Sequence, residues 1–208
     1  PDQPDTGEIR PAPPQTPLRI NTMEQNHLPF QPAPIPQPPP PDQGFIDLHT
    51  HLLPDVDDGC RNLDQTLDCI ARMIHHGYRG AICTPHVWPD IFPYTTPDAI
   101  EMWVAELRDA LAQQGVTFEL WAGGEVRLFE DADQWMAEHG VPTLGDGPYV
   151  LIDHWGEDWP EHIDRTIAWL IDHQFRPILA HPERINIEDE ELESLLDDLH
   201  QRGVALQG

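Results

Sequence analysis

Phe45 to Gly59 reads FIDLHTHLLPDVDDG: a short apolar run delivers two histidines one residue apart and closes in an acidic turn. Alternate side chains of an extended chain share a face, so His49 and His51 point the same way and two imidazoles can reach one ion. Asp55, Asp57 and Asp58 follow at once. The stretch reads as strand one (Phe45-Ile46-Asp47-Leu48) carrying the front half of a metal site at its carboxyl end.

Downstream, short apolar runs alternate with amphipathic segments. Asn62 caps a helix from Leu63 to about His76, with Leu67, Ile70, Met73 and Ile74 on one face and Gly77 at its exit. Gly80 to Thr84 is strand two, and Pro85 to Thr96 a loop. Thr96-Pro97 opens a helix that runs to about Gln114, since proline suits the first helical position. Val116 to Ala122 is strand three, Phe129 to Glu138 helical, and Tyr149 to Asp153 strand four. Pro160 opens a helix to His173, Pro177 to Ala180 is strand five, Glu188 to Arg202 is helical, and Val204 to Gln207 is strand six. Repeated strand-helix order with short links implies a parallel sheet with helices outside, either a barrel or a doubly wound sheet. A last strand with no helix after it reads as a fold cut short.

Upstream, residues 1–44 hold fourteen of the twenty-four prolines and show no helical or strand period. They read as a disordered or polyproline-II arm, a spacer that cannot bury enough apolar surface to order itself. The expected organisation is therefore an arm, 1–44, and one domain, 45–208.

Eleven basic against thirty-seven acidic residues give a formal charge of −26. Such a surface repels nucleic acid and anionic lipid headgroups. A phosphate-bearing substrate would need the negative field overturned locally, and bound divalent cations dominate the charge of a site. Cys60, Cys69 and Cys83 show no CxxC spacing and read as reduced thiols in a cytoplasmic setting. No apolar run reaches the roughly 18 residues of a membrane span. The chain opens on Pro1 without Met, as a piece of a longer protein would.

In alternating β/α folds functional groups gather at the carboxyl ends of strands. Strand one ends in His49-Thr50-His51, strand two in Thr84-Pro85-His86 and strand three in Gly123-Gly124-Glu125. Strand four ends in Asp153-His154, and strand five in His181-Pro182-Glu183-Arg184. A lone HxH is weak, but five successive strand ends bearing His, Asp or Glu are not. Imidazole and carboxylate donors suit zinc, manganese or iron, and a bridging carboxylate such as Glu125 can hold two ions.

IDLHTHLLPDVDDG, TPHVWP, GGEVR and ILAHPER together resemble the polymerase and histidinol phosphatase (PHP) superfamily, and within it the CpsB/YwqE-type bacterial protein-tyrosine phosphatases. The resemblance spans about Phe45 to Gly208. It implies a distorted seven-stranded (β/α) barrel of TIM-like kind, here incomplete, and metal-dependent hydrolysis of phosphotyrosine in proteins with two or three divalent ions, manganese first, then iron or zinc. By the same resemblance His49 and His51 hold the first metal, Glu125 bridges first and second, and His181 binds the second. His86 and an acid of the DVDDG turn, Asp58 in preference to Asp57, bind the third. The family carries Glu where this chain has Asp153, the second-metal candidate, one methylene shorter. Arg184 matches an arginine suited to phosphate oxygens, its alternative being a salt bridge to Glu183. The family's last strand, with an Asp-x-His motif, is missing, so a C-terminal truncation, inactive by itself, is expected. The implied partner is a phosphotyrosine protein such as the tail of a bacterial tyrosine kinase controlling capsule or exopolysaccharide export, with a homo-oligomer compatible.

A thiolate mechanism fails on spacing. It needs Arg six positions after Cys, where this chain has Thr66, His75 and Pro89. Metal-activated water is left as nucleophile, with His154 a candidate proton donor to the leaving group. Trp88, Phe92 and Tyr94 either flank an aromatic ester or pack their own loop. His75 and His76 suit a helix carboxyl end without further function. The rivals are hydrolysis of small phosphate monoesters at the same ligands and a non-catalytic regulatory module.

Overall fold

The computed structural model describes Leu18 and residues 35–208. Most of the proline-rich arm therefore lies outside the described residues. Its last part touches the domain: Ile35 packs against the core, and the Thr117 hydroxyl donates to Gln37 Oε1 at 2.9 Å.

The elements follow in the order β1 (Phe45–Thr50), α1 (Leu63–His75), β2 (Tyr78–Cys83), β3 (His86–Val87), α2 (Pro97–Gln113), β4 (Glu119–Ala122) and β5 (Glu125–Arg127). Then come α3 (Ala132–His139), β6 (Tyr149–Asp153), α4 (Glu161–Asp172), β7 (Arg176–Ala180), a 3-10 turn (Pro182–Arg184), α5 (Asp189–Gln201) and β8 (Ala205–Gln207). Local chemistry sets the helix starts. The Asn62 side chain accepts from the Gln65 N–H at 3.0 Å while Gln65 Oε1 accepts from the Arg61 N–H at 2.9 Å, a reciprocal cap for α1. Thr96 caps α2 with Pro97 in its first turn.

The strands of the described residues pair with one another in parallel, in two sheets of order β1-β2-β4 and β3-β5-β6-β7-β8. Several features depart from the sequence expectation. The loop after strand two contains β3, and Gly123-Gly124 is a joint from which the chain resumes as β5. Both glycines are wedged: a Cβ on Gly123 would lie 2.8 Å from Ile82 Cγ2, and one on Gly124 2.8 Å from Pro142 Cβ. Backbone bonding crosses the joint, from the Gly123 N–H to the Cys83 carbonyl and from the Glu125 N–H to the Pro85 carbonyl. Strand three is shorter than expected, beginning at Glu119, and the third helix begins at Ala132.

β1 and β8 each pair with one strand only among the described residues. Backbone pairing thus shows parallel sheets flanked by helices. The main core lies between strands and helices, with Ile70, Leu107, Leu111, Ile163, Ile167, Leu170 and Leu199 sealing the outer face. No helix among the described residues is long and apolar enough to cross a membrane.

Candidate metal centre

Strand ends bring four histidines around one carboxylate. β1 supplies His49 and His51, and its end is tied to β2 by paired threonines: the Thr50 N–H donates to Thr84 Oγ1 at 3.0 Å and the Thr50 hydroxyl to the Ile82 carbonyl at 2.7 Å. In the next sheet His86 of β3 sits in register with Glu125 of β5. His181 follows β7 with a left-handed φ of 33°, which a side-chain-bearing residue adopts only when its surroundings enforce it. Its N–H is held by the Gln207 carbonyl on β8.

Glu125 is fully buried, and its two oxygens face different histidines. Oε1 lies 2.7 Å from His181 Nε2 and 3.3 Å from His49 Nε2; Oε2 lies 2.8 Å from His86 Nδ1 and 3.4 Å from His51 Nε2. The donor atoms group as His49, Glu125 and His181, as His51, His86 and Glu125, and as His51, Asp57 and Asp58. His49 Nε2 and His51 Nε2 are 3.4 Å apart, close enough to share an ion. Asp153 Oδ1 stands 3.4 Å from His181 Nδ1.

The chemistry of this donor set fits divalent cations. Glu125 Oε2, Asp153 Oδ1 and His181 Nδ1 are buried without a hydrogen-bond partner among the described residues. Buried polar atoms of this kind are costly unless something else binds them, and lone pairs that converge without hydrogen-bond geometry are what ligands of a common ion present.

The two acids of the turn behave differently. The Asp57 side chain is buried and spends both oxygens on protein donors: Oδ2 takes His51 Nδ1–H at 2.6 Å and the His86 N–H at 3.1 Å, and Oδ1 takes the Gly59 N–H at 3.0 Å. It orients His51 so that Nε2 faces the cluster, the carboxylate–histidine pairing usual behind metal ligands. Asp58 is exposed, with Oδ1 3.3 Å from His86 Nε2. Gln207 does for His49 what Asp57 does for His51, with Oε1 2.9 Å from His49 Nδ1. Nothing local in the sequence marks Gln207, since the contact spans the chain from first strand to last.

Without ions the cluster is a charge network. Burial disfavours the charged form of each group, but the hydrogen bond His51 makes to Asp57 and the negative charge of Glu125 override it at His51, whose pKa is raised to about 10. At Glu125 burial is likewise outweighed, by His49, His51 and His86, and the carboxyl titrates far below the usual range. His86 is raised, against its burial, chiefly by Glu125. Asp153 is pushed up by burial and by the neighbouring Glu125 charge. A histidine raised in this way is protonated near neutrality and must lose its proton to bind metal. Manganese binding to the metal-free protein at pH 7 is therefore expected to release at least about one proton per chain, and affinity to rise with pH until the folded pKa of His51 is passed. Calorimetry in buffers of different ionisation enthalpy measures this directly; identical heats in all buffers would contradict it.

The remaining sequence candidates lie at the margin. Arg184 is exposed beside His181 and has no ion pair with Glu183, its N–H bonding only the His181 carbonyl. His154 is buried, with Nε2 donating to the Asp158 carbonyl at 2.9 Å and its ring edge-on to Trp159. Burial lowers its pKa. The three cysteines are free, with Cys60 and Cys69 sulfurs 3.8 Å apart. None is placed for thiolate catalysis.

The family model for capsular polysaccharide synthesis proteins CpsB/CapC matches residues 45–208. The tyrosine-protein phosphatase YwqE of Bacillus subtilis is 29% identical over 163 residues, covering 78% of this chain and 63% of YwqE. The tyrosine-protein phosphatase CpsB of Streptococcus pneumoniae is 25% identical over 140 residues, 67% of this chain and 57% of that protein. A chain from the crystal structures of YwqE from Bacillus subtilis and CpsB from Streptococcus pneumoniae, metal-dependent tyrosine phosphatases, superposes with a TM-score of 0.71 at 28% identity, covering 78% of this chain and 65% of that one. The chain thus spans about three-fifths of the length of these relatives. With the matched segment running from the first metal-site strand to the last residue, the chain belongs to the CpsB/CapC capsular polysaccharide synthesis family.

Proposed function

We propose that the full-length protein is a metal-dependent protein-tyrosine phosphatase that opposes a bacterial tyrosine kinase in capsule or exopolysaccharide synthesis. The observation that carries the reading is Glu125, whose oxygens each face a separate pair of histidines. That arrangement suits a carboxylate bridging two ions, and the similarity to YwqE and CpsB supports the reaction. His49 and His51 are assigned to the first ion, Glu125 to first and second, His181 and Asp153 to the second, and His86 and Asp58 to the third. Bound cations, manganese before iron or zinc, supply charge that offsets the phosphoryl oxygens and acidifies water. The chain's own residues do the rest. Asp57 and Gln207 hold His51 and His49 in orientation, and Arg184 offers a planar fork to phosphate oxygens. His154, its Nε2–H engaged by the Asp158 carbonyl, is left to hold its loop. An incomplete barrel belongs to the same reading, supported by the His49–Gln207 bond that reaches from β1 to β8 across the open side.

The test is turnover by the full-length, manganese-loaded protein of a phosphotyrosyl peptide against histidinol phosphate and a sugar phosphate. A preference of at least about tenfold in kcat/KM for the peptide is expected, a difference of about 1.4 kcal/mol between transition states. Preference for the small esters, or fewer than two ions per chain with no turnover, would sink the assignment.

A further inference from the structure

Three side chains meet beside the cluster, and one of them, Arg127, also reaches Asp153 of the metal site. Arg127 lies with its guanidinium carbon 4.5 Å from the ring centroid of Trp155 and 5.5 Å from that of Trp88. The two indoles stand edge to face, 78° apart with centroids at 6.1 Å. Arg127 Nη2 also donates to the Trp155 carbonyl at 2.7 Å, and Nη1 lies 3.6 Å from Asp153 Oδ2.

Their positions in the chain follow one rule. Trp88 is two residues beyond His86, Arg127 two beyond Glu125, and Trp155 two beyond Asp153. His86 is in register with Glu125 and Arg127 with Asp153. A step of two along an extended chain stays on the same face. Glu125 and Arg127, both within β5, therefore share a face, with Arg127 level with Asp153 and the two indoles, just beyond the ends of β3 and β6, against its guanidinium.

The three do not have equal freedom. Arg127 is held in place: its guanidinium lies against both indoles, its side chain is only 14% exposed, Nη2 donates to the Trp155 carbonyl, and Nη1 is buried without a hydrogen-bond partner among the described residues. Trp155, by contrast, leaves 45% of its surface to solvent, an unusual exposure for the largest side chain. Two indoles at a right angle make a corner that receives a third ring offset or edge-on. The cation between them adds a positive potential to an otherwise strongly acidic protein.

We propose that Trp88 and Trp155 are specificity-determining residues that receive the aromatic ring of the phosphoester while its phosphate reaches the cluster, with Arg127 the positioning residue that holds Trp155 in place. This rests on the phosphatase reading above and adds to it the residues that select the aryl leaving group. A serine or sugar phosphate has no aromatic ring to fill the corner, whereas a tyrosyl or phenyl ester does.

The experiment measures kcat/KM of the full-length, manganese-loaded protein on phenyl phosphate and on glycerol 2-phosphate. Trp155→Ala is expected to lower the aryl-to-alkyl ratio about tenfold, mainly through KM for the aryl ester, and Trp155→Phe to restore it to within about threefold. Arg127→Leu, which removes the stacked cation, is expected to lower the ratio in the same direction with its effect again in KM. If the parent cleaves both esters and Trp155→Ala leaves the ratio unchanged, the inference is overturned while the phosphatase reading stands. If the parent cleaves neither ester, the phosphatase reading fails and the inference falls with it. A ratio lost equally in Trp155→Ala and Trp155→Phe would also overturn it, because a ring would then not be what the corner offers.

Discussion

Glu125→Gln is expected to strip the full-length protein of its ions and to lower kcat/KM on a phosphotyrosyl peptide by at least about a thousandfold, because two-metal sites depend on the charge and bridging of their shared ligand. The substitution keeps shape and removes charge. In the parent, a carboxylate with no solvent exposure is stabilised by four imidazoles within 3.4 Å. An isolated buried carboxylate costs several kcal/mol, so those imidazoles are what make it tolerable. An amide in its place offers one acceptor and one NH2, and the NH2 would point donor hydrogens at histidine nitrogens or at a cation. The loss therefore falls on metal occupancy before it falls on folding. Elemental analysis for bound manganese, peptide turnover and a melting curve read the three effects separately. The size of the pH dependence changes as well. With Glu125 present, the raised pKa of His51 gives the metal-free protein a contribution that is whole below the unfolded value of 6.5 and fades as pH climbs through about 10. Glu125→Gln removes one of the two carboxylates behind that shift, so the metal-free variant should lose less stability across the same interval. Two bound ions and near-normal turnover in Glu125→Gln would refute the bridging role.

Gly59→Ala, a single added methyl, is expected to cost about 1–3 kcal/mol of stability by overpacking and to weaken metal binding by roughly 10- to 100-fold. The turn after β1 folds back so closely that a Cβ at residue 59 would lie 2.3 Å from the His51 carbonyl oxygen and 2.4 Å from the His51 Cβ. Neither can yield cheaply. The carbonyl accepts from the Cys60 N–H at 3.1 Å, and the His51 ring is held at 2.6 Å by Asp57, which the Gly59 N–H in turn supports. Moving Gly59 outward would release Asp57 from its Gly59 N–H donor and let His51 Nε2 swing from the cluster. A melting temperature lower by roughly 5 °C together with weaker manganese affinity is the expected pair of results. An unchanged melting curve with unchanged affinity would show that the turn relaxes without cost, and the close approach would carry no functional weight.

Much of the candidate site was legible because it is written locally. HTH at a strand end needs only the two-residue period to put both imidazoles on one face, and the β/α order sends every strand's carboxyl end to the same side of the sheet. What stayed hidden were residues whose partners are far away in sequence. Gln207 has an amide that looks like any other in a terminal strand, and only its approach to His49 gives it a task. The two short strands around the glycine joint were missed for a related reason. A two- or three-residue strand has no measurable period, and β3 and β5 exist because each finds a neighbour in register. Asp57 and Asp58 are adjacent and chemically identical, yet one is buried under His51 and the other stands in solvent, a difference set by the path of the turn.

By itself the sequence determined which residue types stand at which strand ends, hence a parallel β/α domain with a histidine and carboxylate cluster on one side. Hydrophobic period, capping residues and chain direction are local properties, and they suffice for that. Only the tertiary structure decided which oxygen of Glu125 meets which imidazole, that Asp57 orients while Asp58 remains open, and that Trp88, Arg127 and Trp155 come together. Those outcomes depend on register between strands and on how loops pack over their ends, and neither is encoded in any one stretch of chain.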